Sequence, residues 1–192
     1  QHEGLAATHP DEAGVGEGWT AAAKELGLKR SDVFLQTKFS SFSGQDPNTV
    51  PYDPHAPLAE QIRESLRVSL RNLKTDYLDS WVMHSPESTV EKTMQVYRTM
   101  EEAVDAGTVN RLGISNSYDL RFFREIYENA RHKPQVLQNR FHKQSNWDQE
   151  LRKFCDDKGI WYQSFWTLTA NREALHNRHV HEWADSKNLT PQ

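Results

Sequence analysis

The sequence is short of cysteine, of basic residues and of long apolar runs, and each shortage removes a class of protein. A single cysteine, Cys155, among 192 residues cannot build a disulfide framework or a cysteine-rich zinc site, so a reducing, cytoplasmic setting is expected. No window approaches the roughly 20 consecutive apolar residues of a membrane-spanning helix, so no membrane partner is expected. Twenty-three basic against 27 acidic residues leave a net charge of −4, the opposite of the basic excess that marks nucleic-acid binding. A dinucleotide fingerprint is lacking too. Gly14-Val15-Gly16-Glu17-Gly18 has the wrong spacing for G-x-G-x-x-G, and no strand precedes it. The opening Gln1-His2-Glu3 shows no signal-peptide layout, and both ends of the chain read as cuts. What remains is enough for one core: 36% hydrophobic residues, with six Trp and eight Phe, despite a mean hydropathy of −0.85.

Periodicity organises the chain into alternating helices and strands. Val15, Trp19, Ala22, Ala23 and Leu26 share one helical face before Gly27, and Val33 to Lys38 reads as a buried strand. A polar loop with four prolines, Phe39 to Pro57, follows; such length in a compact domain points to function or mobility. Leu58, Ile62, Leu66, Leu70 and Leu73 mark a helix, then Tyr77 to His84 a strand. Ser88-Thr89-Val90-Glu91 matches a capping box, and Gly107 closes the helix that it opens. Three further strands are expected at Val109 to Ile114, Gln135 to Asn139 and Ile160 to Phe165, separated by helices marked by Leu120 to Ala130 and Trp147 to Phe154. The last amphipathic stretch lies near His181 to Lys187.

Alternation of this kind means parallel strands with right-handed crossovers, as a doubly wound sheet or a (β/α)8 TIM barrel. Without a dinucleotide fingerprint the barrel is the better fit. Complete barrels run to about 250 residues, so residues 1–192 read as a single, incomplete barrel domain holding about the third to seventh βα units. Barrel active sites form at the C-terminal ends of the strands. Those ends, in order, carry Lys38, His84, Ser115-Asn116, Gln138 and Phe165-Trp166. A cation beside an imidazole suits proton donation; amides and an aromatic face suit a flat, carboxamide-bearing ligand.

The chain resembles the aldo-keto reductases. The segments that carry the resemblance are Asp32 to Lys38, Leu66 to Pro86 with Asp76-Tyr77-Leu78-Asp79 within it, Leu112-Gly113-Ile114-Ser115-Asn116, Val136-Leu137-Gln138 and Lys158-Gly159-Ile160, in the family's order. The resemblance implies an enzyme that reduces aldehydes and ketones to alcohols, or runs the reverse, by hydride transfer from a nicotinamide cofactor, NADPH (NADP) first. It makes Lys38 and His84 two members of a Tyr/Lys/Asp/His catalytic tetrad. It makes Ser115, Asn116 and Gln138 the groups that bind the nicotinamide carboxamide, and Phe165 the ring that stacks on the nicotinamide. The implied partner is a small-molecule carbonyl or alcohol substrate; nothing in the sequence marks an oligomeric state.

The sequence also departs from the family. No Asp-Thr-Ala segment precedes Val15; an ungapped count places His9 where the Tyr belongs, whereas an insertion in Gln1 to His9 would place the Tyr upstream of residue 1. Phe165 stands for a usual Tyr, Ser117 for a usual aromatic, and Trp166-Thr167-Leu168-Thr169 for Ser-Pro-Leu-Gly. Two other readings therefore stand beside the enzyme: a cofactor-retaining regulatory module and a truncated product without function. Taken singly, Lys38 could be a solvated charge, His84 a core imidazole, and Ser115-Asn116 an N-cap for the helix that begins near Tyr118. His176, His179 and His181 lack a partner at zinc spacing and read as polar surface.

Overall fold

A computed structural model of the protein describes residues 11–45 and 50–191. Helix α1 (Glu12–Leu26) opens at Asp11, whose carboxylate accepts from the Gly14 amide at 2.8 Å, and closes at left-handed Gly27. Then come β1 (Gln36–Phe39), α2 (Leu58–Asn72), β2 (Ser80–Met83), α3 (Val90–Asp105), β3 (Leu112–Ser115) and α4 (Leu120–Asn129). The chain continues through β4 (Val136–Arg140), α5 (Gln149–Lys158), β5 (Trp161–Phe165), a short α6 (Arg172–Leu175) and α7 (Arg178–Ser186). All five strands pair in parallel and in sequence order. The expected alternation is present, with strands starting one to three residues later than the apolar runs suggest. Leading residues such as Leu78 contribute only an isolated bridge, to Val109.

The sheet has two unlike faces. Phe39, Trp81, Met83, Leu112, Ile114 and Leu137 point outward and form the main core with Ile62 of α2, Tyr97 and Met100 of α3, and Phe123 and Ile126 of α4. The other face carries Gln36, Lys38, Val82, Gly113, Val136, Gln138, Gln163 and Phe165, because side chains alternate along each strand. This inner face curls on itself. Gln36 of β1 and Gln163 of β5, on strands at opposite ends of the sheet order, exchange two amide hydrogen bonds of 2.9 and 3.2 Å.

The stagger of that contact identifies the curvature. Following the register from Gln163 through Gln138 and Ser115 leads, by extension past Met83 and Phe39, to Ser40. The residue that Gln163 meets is Gln36, four positions earlier than Ser40, across four strand steps. One residue per strand is the tilt of an eight-stranded, shear-8 barrel. The described residues therefore form five consecutive βα units of a (β/α)8 barrel.

Two expectations are corrected at α1 and α3. Val15 and Leu26 are 48% and 68% exposed while Trp19, Ala22 and Ala23 are partly buried, so the shared apolar face of α1 is only half covered. What seats α1 is polar and close. Gly16 is buried where an added Cβ would lie 2.1 Å from the Asn72 carbonyl oxygen, the Trp19 indole donates to the Leu73 carbonyl at 2.6 Å, and Glu12 accepts from Thr37, Ser69 and Asn72. The N-cap of α3 is Thr89, not Ser88; its hydroxyl accepts from the Lys92 amide.

Candidate active site

The sequence-derived residues fall within one residue step of a single level of the barrel. Lys38 is aligned in register with Val82, Gly113, Val136 and Trp161. Adding the stagger of one residue per strand gives Met83, Ser115, Asn139 and Phe165 at the height of Lys38. Ser115 and Phe165 therefore share that layer, and the inward-facing His84 and Gln138 lie one residue above and below it. Gly113 permits this approach, since a Cβ there would stand 2.7 Å from Val136 Cβ and 2.8 Å from the Val136 carbonyl oxygen.

Lys38 is largely enclosed, and burial holds its ammonium below the ordinary lysine range. Among the described residues no carboxylate pairs with it. His84 continues the β2 ladder by donating its amide to the Phe39 carbonyl at 2.8 Å. Its Nδ1 lies 2.8 Å from the Ser40 hydroxyl, and its carbonyl accepts from Asn116 Nδ2 at 2.8 Å.

Asn116 takes a left-handed conformation (φ 57°), which Asn tolerates better than most residues. Its amide is oriented from both sides: Nδ2 donates to the His84 carbonyl, and Oδ1 accepts from the Tyr118 hydroxyl at 3.2 Å. Ser115 is buried and donates to the Gln138 carbonyl at 2.7 Å, while Gln138 Nε2 donates to Gln163 Oε1 at 2.9 Å. The helix-cap reading of Ser115-Asn116 does not hold. Asp119 caps α4 by accepting from the Arg121 and Phe122 amides.

These commitments define what the side chains can bind. Ser115 Oγ, Asn116 Oδ1 and Gln138 Oε1 each retain an acceptor lone pair, a set that fits the NH2 of a carboxamide. The carbonyl oxygen of such a group would compete with the His84 carbonyl for Asn116 Nδ2. Phe165, half-buried at the end of β5, offers an aromatic face without a hydroxyl. Beside it Trp166, also left-handed, stacks under the Arg140 guanidinium at 4.0 Å. The residues therefore fit a nicotinamide.

Sequence reasoning missed Ser40, Tyr118, Gln36 and Gln163. Polar residues at alternate positions of otherwise apolar strands were the available signal for the two glutamines. His9 lies outside the described residues, as do positions 46–49 of the long loop. Among the described residues no group of three or more His, Cys, Asp or Glu side chains could hold a metal, and His176 and His179 contact the Arg172 carbonyl and Glu182 instead. No helix among them is long and apolar enough to cross a membrane.

The sequence model of the Aldo/keto reductase family matches residues 12–171. The chain belongs to the aldo/keto reductase family. Similar aldo/keto reductases include the glyoxal reductase of Bacillus subtilis, 27% identical over 95% of this chain and 58% of its own length. The NAD/NADP-dependent indole-3-acetaldehyde reductase of Schizosaccharomyces pombe is 31% identical over 77% of this chain and 48% of its own. Among solved structures, the aldose reductase of Schistosoma japonicum superposes with a TM-score of 0.75 at 25% identity, over 94% of this chain and 60% of that one. The chain spans about half the length of the curated relatives that it matches.

Proposed function

We propose that the protein reduces small aldehydes or ketones to alcohols, and that residues 1–192 belong to one barrel domain that supplies part of the active site. The observation that carries this reading is the inner-face layer of Lys38, Ser115 and Phe165, with His84 one residue above it and Gln138 one residue below. When bound, a reduced nicotinamide supplies the hydride. NADPH is the first candidate, since relatives such as the NADP-dependent D-sorbitol-6-phosphate dehydrogenase of Malus domestica carry NADP in their names.

In this reading the chain's own side chains divide the work. Ser115, Asn116 and Gln138 hold the carboxamide, and Phe165 fixes the plane of the ring. His84 orients the substrate carbonyl by donating a hydrogen bond to its oxygen. Lys38 supplies a positive charge that would favour loss of a proton from the phenol of the family's tetrad, the group that would complete the transfer to oxygen. The acceptor-rich floor selects a carboxamide over a carboxylate, whose charge it would repel.

The test is an aldehyde-dependent loss of dihydronicotinamide absorbance, with Lys38→Ala and His84→Ala as controls. Turnover that falls about 100-fold or more in both variants supports the reading. Saturable cofactor binding without turnover would instead mark a cofactor-retaining module.

A further inference from the structure

We propose that Ser40 is a positioning residue that fixes the tautomer of His84, with the ring proton on Nε2. The inference rests on the reductase reading above, and it comes from a proton count at one buried contact.

Ser40 directly follows β1 and is 7% exposed. Its hydroxyl lies 2.8 Å from His84 Nδ1. Two arrangements of protons are available to that pair. If Nδ1 carries the proton and donates to Ser40, the serine hydroxyl proton must find another acceptor; among the described residues Oγ has no other partner. A buried hydroxyl proton would then be left unsatisfied, which is costly. If the hydroxyl donates to Nδ1, every proton at the contact is placed, and the neutral ring carries its own proton on Nε2. The second arrangement is the one that lets His84 donate to a substrate carbonyl.

The position of Ser40 is itself enforced. Its carbonyl accepts from the Tyr52 hydroxyl at 2.7 Å and from the Gln45 side-chain amide, and Gln45 Nε2 also reaches the Tyr52 hydroxyl at 2.8 Å. Tyr52 is buried and stacks at 6.1 Å from Phe39, the residue that precedes Ser40. The described parts of the long loop thus grip the one peptide that presents the hydroxyl to His84. This gives the loop a role in setting up proton donation.

The test is nitrogen NMR of the full chain labelled with 15N-histidine and read without substrate. His84→Gln identifies the His84 signals among the nine histidines. The expected result is an unprotonated, hydrogen-bonded Nδ1 and a protonated Nε2 in the wild type. In Ser40→Ala the Nδ1 shift moves to that of an unbonded ring nitrogen; Ser40→Thr, which keeps the hydroxyl, retains the wild-type shift. In turnover, Ser40→Ala lowers kcat about tenfold with little change in KM for the carbonyl, and Ser40→Thr restores it.

A proton on Nδ1 in the wild type overturns the proposal, as does an Nδ1 shift that Ser40→Ala leaves unchanged. The wild-type measurement stands even if Ser40→Ala fails to fold. Full turnover in His84→Gln would overturn the reductase reading instead, and the nitrogen shifts distinguish the two failures.

Discussion

Lys38 bears the clearest conflict between stability and function. Its lowered pKa means that the folded state binds the proton less well than the unfolded chain does. Between the folded pKa and the ordinary value of 10.5, the unfolded state therefore holds more protons, and stability rises with pH across that window. Below it, burial of the charge costs stability throughout. Lys38→Met is expected to leave the melting temperature unchanged or raise it, while turnover drops about 100-fold or more. A fall in melting temperature would mean that Lys38 is a structural cation. Gly113 poses the converse case, because an added methyl would collide with Val136 inside the barrel. Gly113→Ala should destabilise by about 1–3 kcal/mol in urea titrations and weaken cofactor binding by displacing Ser115.

At the scale of elements, the Asp76 to Asp79 block that most marks the family acts here as a structural joint. Asp79 Oδ2 accepts from the Leu35 amide at 2.9 Å and from Arg30 at 2.8 Å, while Arg30 also reaches Thr75 and the Val33 and Tyr77 carbonyls and lies 4.0 Å from the Tyr77 ring centroid. The pair is about 15% exposed and sets where β1 begins beside β2. Asp79→Ala leaves the Arg30 guanidinium without its counter-charge and the Leu35 amide without its acceptor, and should cost about 3 kcal/mol by chemical denaturation. Glu101 plays the same part at the approach to β4, accepting from the Arg131 and His132 amides at 2.6 and 2.7 Å while 3% exposed.

The sequence revealed the order and type of these elements because strands and helices differ in apolar period. It also put Lys38, His84, Ser115, Asn116, Gln138 and Phe165 at the strand ends, because strand ends are legible once the strands are. What it hid were contacts set by tertiary approach. Trp19 pattern-matches a core residue but serves as a donor to Leu73. Ser40 looks like the start of a loop until β1 and β2 are paired. The apolar pattern starts α5 at Trp147, yet Asn146, Trp147 and Asp148 are all left-handed (φ 49–51°), and the helix starts after them.

On the scale of the whole molecule, the one thiol reports on integrity. Cys155 is buried in α5, and burial pushes its pKa up to about 12, with Asp156 and Asp148 adding to the rise. It should resist a thiol reagent at mildly alkaline pH in the native chain and react in full in denaturant. Partial reaction without denaturant would reveal local opening of α5 against β5. The barrel interior is joined across its width by Gln36, Gln163 and Gln138. Gln163→Leu removes the hydrogen bond that turns the Gln138 amide and both bonds to Gln36, and should weaken cofactor binding several-fold while costing about 1–3 kcal/mol of stability.

A reduced nicotinamide held by the inner-face residues is the proposal on which the rest depends. Titrating NADPH into the chain, and following energy transfer from its tryptophans to the dihydronicotinamide, tests it directly. The expected result is saturable binding that weakens at least about tenfold in Gln138→Leu, which removes the acceptor for the carboxamide NH2. Absence of saturation, or equal affinity in the variant, would contradict it.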